Sequence, residues 1–327
     1  MDRRAFIGTL AGGLLAAPLA VEAEQVGKMW RIAIVLPGSP DTVGHIANAI
    51  EAGLANAGYV DGANIRLERR FYPPDPVGAE TVLRAVVPTI DLLIVGGTTG
   101  GVVAKRVTTT LPTVFQAVSD PVRLGLVASL AHPGGNMTGV SFEAGAETYG
   151  KRLQLLKEII PGLTVVGVLG APGDTNMPVA MESLKRVAPS LHVSIRPFEV
   201  AAITDVDRSF TMMNRSGVQG VVVVAGVFTY EHGRGIAELA LSHRLPSVHA
   251  LRETVLAGGL ISLGTNIIDM APLVAADVDK IIKGAKPADL PIEQPTKFEL
   301  VINLKTAKAL GLTIPPSLLR RADQVIE

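Results

Sequence analysis

Hydroxyl and carboxylate side chains follow two short apolar runs in the first half of the chain. Thr98-Thr99 come after the run 92–95 and two glycines, and Ser119-Asp120 come directly after the run 114–118. Apolar runs of this length, bounded by glycine or charge, are typical of strands buried on both faces of a parallel sheet. Ligands of open α/β sheets bind at the carboxyl edge of the strands, so the pattern predicts that these hydroxyls and neighbouring backbone N–H groups bind an anion.

Each of these side chains has an alternative role. Thr98 and Thr99 could instead cap the helix that follows them. Asp120 precedes Pro121 and could serve only to shape that turn. If Thr98 and Ser119 bind the ligand, replacing both with alanine should leave the fold intact and weaken binding by roughly 1–3 kcal/mol.

Motifs of the common enzyme classes are absent from the sequence. No G-x-G-x-x-G follows a predicted strand, and no G-x-S-x-G is present. Residues 145–151, GAETYGK, have the spacing of a phosphate-binding loop, but Arg152 stands where Ser or Thr is needed and the segment also fits a helix. The six histidines show no metal-binding spacing. The sequence therefore predicts no catalytic residues, no metal and no cofactor.

The composition excludes several kinds of partner. Thirty Lys and Arg balance thirty Asp and Glu, and no basic block is present, so we expect no nucleic-acid partner. Cysteine is absent, which excludes disulfides, thiolate metal sites and Cys nucleophiles. Hydrophobic residues make up 48% of the chain and can supply a large core. After the first 23 residues no apolar run reaches about 18 residues, so no membrane span is predicted.

The first 23 residues have the pattern of an export signal. Arg3-Arg4 precede the apolar run 10–21, and Val21-Glu22-Ala23 supply small residues for cleavage. The run is too short and too rich in glycine to span a bilayer stably. Paired arginines are typical of the twin-arginine route, and the general secretory route is the alternative. We expect cleavage near Ala23 and a periplasmic mature protein.

Strand-like and helix-like patterns alternate from Arg31 onward. A first series runs to residue 142, a second series of similar length and order runs from about 145 to 251, and a tail holds two more strands and a helix. Such alternation predicts parallel sheets with helices on both faces. About 300 residues suffice for two domains. We therefore predict an α/β fold of two doubly wound parallel-sheet lobes, with a tail that crosses between them.

Several segments resemble one family. They are GYVDG at 58–62, SDPV at 119–122, GLV at 125–127, PGGNMTG at 133–139, GKRL at 150–153, QPTKFEL at 294–300 and NLKTA at 303–307. These segments are similar to the substrate-binding protein family of ABC transporters, and more specifically to its tryptophan/tyrosine-type branch. The resemblance covers essentially the whole mature chain.

The resemblance implies a type I periplasmic binding fold, with two lobes joined by three crossovers and a ligand enclosed between them. The first lobe would contain residues 24–142 and about 264–285, and the second would contain 143–263 and about 286–327. Closure of the lobes by hinge motion would couple binding to delivery.

The function implied is capture of a small solute, such as an aromatic amino acid or a related carboxylate. The protein would act as a monomer and present the solute to a membrane permease with a cytoplasmic ATPase. A periplasmic sensor that signals to a membrane receptor is the alternative function, and an exported enzyme on the same scaffold is a third.

In amino-acid binders of this fold, two sheet-edge loops of the first lobe hold the ligand carboxylate. Here these loops contain residues 98–99 and 117–119. Loops of the second lobe usually bind the amine, and here they contain residues 226–228 and 251–253.

The chain departs from the family in the amine-binding loops. Aspartates that other members carry at the positions of Gly226 and Leu251 are missing, so Glu253 or Asp174 would replace them. Arg252 could instead attract a second carboxylate, which would favour acidic ligands. Asp174 lies in a Gly- and Pro-rich loop and also fits a helix cap.

Other candidates also follow predicted strands. Phe228 and Tyr230 come after the most apolar strand and could stack on a ligand ring or belong to the core. Phe142 at the first crossover could line the cleft or pack at the hinge, and Ser39, after the first strand, could bind ligand or start a helix. The candidate ligand contacts are Ser39, Thr98, Thr99, Ser119, Asp120, Phe142, Asp174, Phe228, Tyr230, Arg252 and Glu253.

Overall fold

The computed structural model describes residues 28–73, 75–142 and 147–327. The predicted export signal and the predicted start near Glu24 lie outside these residues. Within these ranges no helix combines the length and the apolar character that crossing a bilayer requires.

The first lobe is built on a five-stranded parallel sheet. Its strands lie in the order β2-β1-β3-β4-β5, and every neighbouring pair is parallel, as the alternation of strand and helix predicts. The strands are β1 (Trp30–Pro37), β2 (Ile65–Tyr72), β3 (Leu92–Gly96), β4 (Thr113–Val118) and β5 (Met137–Ser141), and the helices between them are α1 (Pro40–Asn56), α2 (Pro76–Val86) and α3 (Thr98–Val107).

The second lobe is built on a seven-stranded sheet in the order β12-β11-β10-β9-β8-β6-β7. Its strands are β6 (Val165–Gly170), β7 (Ser194–Glu199), β8 (Gly220–Val223), β9 (Ser247–His249), β10 (Ile261–Gly264), β11 (Glu299–Asn303) and β12 (Gln324–Ile326). The helices of the later chain are α4 (Glu147–Ile159), α5 (Asn176–Val187), α6 (Ile203–Arg215), α7 (Val227–Glu231), α8 (Gly233–Ser242), α9 (Arg252–Leu256), α10 (Ala271–Ile282), α11 (Leu304–Leu310) and α12 (Pro316–Leu319). Strands β10 and β11 are antiparallel, and the sequence did not predict β12.

Three segments connect the lobes. They follow β5, follow β10, and run from α10 to β11. Helix α10 packs on the first lobe, since Val274 and Val278 share a core cluster with Ile46 and Ile50 of α1. The last connection stays bonded to the first lobe as far as Glu293, whose N–H donates to the Gly139 carbonyl, beyond the boundary predicted near residue 285.

Apolar cores lie on both faces of each sheet. In β1, Ile32, Ile34 and Leu36 pack in the cluster that contains α1 and α10, whereas Ala33 and Val35 pack in the cluster on the opposite face. This alternation is the two-residue period of a strand, and burial on both faces explains why the run is continuously apolar. Each fully buried Ile or Leu side chain contributes about 1.5–3 kcal/mol to stability, so the carboxyl ends of the strands are held on a rigid frame.

Candidate functional site

A cleft lies between the lobes at the carboxyl ends of strands from both sheets. It holds about 720 Å³ free of protein atoms, part of which is open to solvent. Its polar lining comes from the starts of α3 and α5 and from the ends of β4 and β8, and the rest of the lining is apolar. A cleft of this size and composition suits a small organic molecule.

Helix α3 begins at Thr98 rather than at Val102, where the sequence pattern placed it. Its N-cap is Gly97, at φ 77°, and neither Thr98 nor Thr99 caps the helix. Glycine takes this left-handed conformation without steric cost. The N–H groups of the first turn have no intrahelical acceptor, and Gly97, Thr98 and Thr99 all line the cleft. The helix start can therefore bind an anion.

The hydroxyl of Thr98 connects three loops. It accepts a hydrogen bond from the Ser119 backbone N–H at 3.0 Å, and it donates to Oδ1 of Asn176 in the second lobe at 3.3 Å. The amide of Asn176 in turn donates to the Ala225 carbonyl at 2.6 Å. Thr98 is 5% exposed, so this side chain positions the cleft walls.

Thr99 and Ser119 leave their hydroxyls available. Both residues line the cleft, and within the described ranges neither hydroxyl makes a hydrogen bond. The two hydroxyls can therefore donate to an anionic group held at the start of α3.

Asp174 belongs to the second lobe, where it lies in the loop between β6 and α5. Its Oδ1 accepts the backbone N–H of Asn176 at 2.8 Å. Burial raises the pKa of Asp174 to about 6, and the hydrogen bond from Asn176 acts in the opposite direction. Among the described residues that line the cleft, Asp174 alone carries a charged side chain. The cleft can therefore neutralise one positive group on a ligand.

Gly226 makes room for this carboxylate. A Cβ atom added to Gly226 would lie 1.9 Å from Oδ2 of Asp174, well inside any tolerable contact. The side chain of Asp174 thus fills the space that a side chain at position 226 would occupy. Of the two residues proposed to replace the aspartate implied by the family resemblance, Asp174 lies at the cleft and Glu253 does not.

The apolar side of the cleft contains two aromatic rings. Phe142 and Tyr230 line it together with aliphatic residues, which are Leu36, Val43, Ile46, Ala225, Leu251 and Ile267. The Tyr230 hydroxyl lies 3.0 Å from Nε2 of His45 on the first lobe. Burial, and then the charge of Glu253, raise the pKa of Tyr230, so its hydroxyl stays protonated.

Ser39, Asp120 and Phe228 do not line the cleft. Ser39 caps α1, accepting the Thr42 N–H at 3.3 Å. Asp120 accepts the Arg123 N–H at 3.1 Å and shapes its turn. Phe228 is 7% exposed and packs in a core cluster of the second lobe. These three residues therefore have the structural roles that the sequence analysis gave as alternatives to ligand binding, which are a helix start, a turn and a core position.

Arg252 and Glu253 also lie outside the cleft lining. Arg252 donates from Nη1 to Oε2 of Glu299 and from Nη2 to Oε1 of Gln324, each at 2.7 Å, so its guanidinium fastens α9 to strands β11 and β12. Burial raises the pKa of Glu253, an effect that the charges of Arg252 and His45 oppose. The expectation that Arg252 attracts a second ligand carboxylate has no support in this geometry, because its guanidinium is already bonded to Glu299 and Gln324, which are far away in the chain.

Sequence reasoning did not single out Gln116, Asn176 or Ile267, which all line the cleft. Gln116 is a polar residue inside the apolar strand β4, and this anomaly could have identified it. Asn176 follows Asp174 in a strand-end loop that was already a candidate. Ile267 lies in a connection between lobes and carries no local signal.

Two parallel-sheet lobes that enclose a cleft at their strand ends define the type I periplasmic binding class of solute-binding proteins. A family model described as ABC transporter substrate binding protein matches residues 31–326, and the chain belongs to this family. Members of the family bind solutes and are not enzymes. They are typically extracytoplasmic.

Three similar proteins illustrate the assignment. A tyrosine-binding protein of Clostridioides difficile is 24% identical over 260 residues, which cover 79% of this chain and 74% of the relative. The crystal structure of an ABC domain from Streptococcus pneumoniae in complex with L-Trp has a TM-score of 0.82 and 27% identity, covering 91% of this chain and all of that one. A conserved domain protein of Vibrio cholerae has a TM-score of 0.85, 26% identity and the same coverage.

Proposed function

We propose that this protein is the extracytoplasmic solute-binding component of an ABC uptake transporter, and that it captures a zwitterionic aromatic amino acid between its lobes. The observation that carries the proposal is the division of the cleft. Anion-binding groups lie on the first lobe, the carboxylate of Asp174 lies on the second, and apolar residues complete the lining.

The two charged ends of an amino acid match the two polar walls. Its carboxylate would accept hydrogen bonds from the first-turn N–H groups of α3 and from the hydroxyls of Thr99 and Ser119. Its ammonium would bind Asp174, which becomes fully ionised in this role. Since the two walls belong to different lobes, a ligand with both charges stabilises the closed form.

The apolar wall suits a large side chain. Phe142 and Tyr230 offer ring faces or edges, and Ile46, Leu251 and Ile267 complete the surface. Burial of an aromatic side chain there would supply most of the affinity. No Lys or Arg lines the cleft in the described part of the chain, which disfavours a dicarboxylate. The relatives named for tyrosine and solved with L-Trp support the same class.

Delivery to a permease and its ATPase follows from the family. The pattern of an export signal in residues 1–23 supports a periplasmic location.

Calorimetry with L-tryptophan, L-tyrosine and L-phenylalanine and the mature chain tests the proposal. Decarboxylated and deaminated analogues should bind much more weakly, because each lacks one charged end. Asp174→Asn should raise the dissociation constant roughly 10- to 100-fold. Gly226→Ala should have a similar effect, since its methyl group displaces the carboxylate of Asp174.

Asp205→Asn is the matched control, because Asp205 is exposed on α6 and lies outside the cleft. It should leave the affinity unchanged. If none of the three amino acids binds, the proposed ligand class is wrong. If tryptamine binds as tightly as tryptophan, the carboxylate site at α3 is wrong.

A further inference from the structure

Gln116 holds a buried hydrogen-bond acceptor that has no partner. The residue is 1% exposed and lines the cleft. Its Oε1 makes no hydrogen bond within the described ranges of the chain. A buried amide oxygen without a donor costs about 1–3 kcal/mol, so such groups are rare unless a ligand or water completes them.

The orientation of this amide is determined by a second contact. Nε2 of Gln116 donates to the backbone carbonyl of Ile267 at 3.0 Å, in the connection that leads from β10 to α10. A carbonyl can only accept, so the NH₂ end of the amide must face Ile267 and the oxygen must be the free end. Exchanging the two ends would place two acceptors together.

A β-bulge presents Gln116 to the cleft. The pairing of β4 with β5 shifts register between Gln116 and Val118, and Ala117 adopts φ 59°. Successive residues of a regular strand point to opposite faces, yet Gln116 and Ala117 both line the cleft. Bulges of this kind redirect side chains beside binding sites.

Gln116 belongs to the apolar side of the cleft. Its partner Ile267, and Ala117 beside it, pack against the same core cluster as Leu36, Ile46 and Leu251. A ligand side chain that packs on this apolar side therefore lies beside the residues that hold the amide of Gln116.

We infer that Gln116 is a specificity-determining residue that accepts a hydrogen bond from an N–H or O–H group on the side chain of the ligand. This inference rests on the proposed function and narrows it. The ligand is an aromatic amino acid with a side-chain donor, such as an indole or phenol, and the purely hydrocarbon analogue is discriminated against because it leaves Oε1 unpaired.

The test uses two ligand pairs that differ by one donor. L-tyrosine is compared with L-phenylalanine, and L-tryptophan with 3-(3-benzothienyl)-L-alanine, in which sulfur replaces the indole N–H. In the wild-type protein, calorimetry should show at least one donor-bearing ligand binding roughly 10-fold or more tightly than its partner. In Gln116→Leu this ratio should fall to about one. The ratio of the two dissociation constants within a pair reports on Oε1 of Gln116 alone, because loss of the bond to Ile267 affects both ligands of the pair equally.

Gln154→Leu is the matched control, because Gln154 is exposed on α4, and it should keep the wild-type ratio. Gln116→Met gives a second variant, should the leucine variant fail to fold. Equal affinities within both pairs in the wild type, or an unchanged ratio in the Gln116 variants, would overturn the role of Gln116 and leave the proposed function standing. Absence of binding by all four ligands would instead overturn the proposed function, and this inference with it.

Discussion

At the residue scale, Asp174 combines a poor environment for its charge with the position best suited to a ligand ammonium. Burial raises its pKa, and Gly226 leaves room for the carboxylate at the cleft. Ionisation of this carboxylate is costly in the empty protein, whereas a ligand cation stabilises the ionised form in the complex. Solute binding should therefore be linked to proton release. Perturbed carboxylates of this kind cluster at functional sites.

Asp174 should therefore make the ligand-free protein less stable at neutral pH. Its pKa is about 6 when folded, against an ordinary value of 3.8, so the folded chain binds more protons between these values and loses stability as pH rises through that window. Asp174→Asn should raise the free energy of unfolding by about 1–3 kcal/mol at pH 7. At pH 4 it should change that free energy little.

Urea denaturation of the ligand-free protein at the two pH values measures this difference. The same substitution weakens ligand binding, so stability and affinity should move in opposite directions. An equal effect of Asp174→Asn at pH 4 and pH 7 would show that the buried charge is not the cause.

At the element scale, the start of α3 and the end of β4 form one unit through Thr98. The hydroxyl of Thr98 accepts from Ser119 and donates to Asn176, so the two strand ends that the sequence identified are bonded to each other and to the second lobe. This contact changes the expected effect of mutation. The sequence alone led us to expect that alanine at these positions would weaken binding and leave the fold intact.

With the contacts known, Thr98→Ala should lower the free energy of unfolding by about 1–3 kcal/mol, because the buried N–H of Ser119 loses its acceptor. Thr98→Ser keeps the hydroxyl and should restore most of the loss. Ser119→Ala should affect ligand affinity with little change in stability, since the Ser119 hydroxyl makes no bond within the described chain. Chemical denaturation of the three variants, paired with calorimetry, separates the two roles, and equal stabilities for Thr98→Ala and Thr98→Ser would contradict the assignment.

At the scale of the whole molecule, contacts across the cleft hold the lobes together. Thr98 bonds to Asn176, Tyr230 to His45, and Arg123 lies 3.1 Å from Glu182. The ion pair is exposed and screened by salt, so it contributes little. The bond between Tyr230 and His45 is also exposed, but the Tyr230 side chain is half-buried and lines the cleft, so this contact should contribute more to the closed form.

Tyr230→Phe removes this bond and keeps the ring. We expect a larger fraction of open molecules without ligand, seen as an increased radius of gyration in small-angle scattering, and an affinity lower by about 2- to 10-fold. Tyr59→Phe is the control, because the Tyr59 hydroxyl bonds to Asp279 within the first lobe at 2.8 Å. If both variants scatter like the wild type, the contact does not influence closure.

Local patterns in the sequence were enough to predict the parallel-sheet lobes and most strand ends, because strands and helices leave local periodicities in the chain. It also indicated Thr98, Thr99, Ser119, Phe142, Asp174 and Tyr230, since residues at the carboxyl ends of strands meet at one edge. These six residues line the cleft. The sequence pattern placed the start of α3 at Val102 and not at Thr98, because the first turn contains two glycines and follows Gly97, and glycine is a poor helix former.

Which side chains are free to bind a ligand depends on contacts between residues far apart in the chain. Arg252 is held by Glu299 and Gln324, and Gln116 is held by Ile267, a residue 151 positions away in the chain. Such pairings depend on how the fold brings distant segments of the chain together, and no local pattern records them. The same long-range packing left Asp174 in the cleft lining and the oxygen of Gln116 without a hydrogen-bond donor among the described residues.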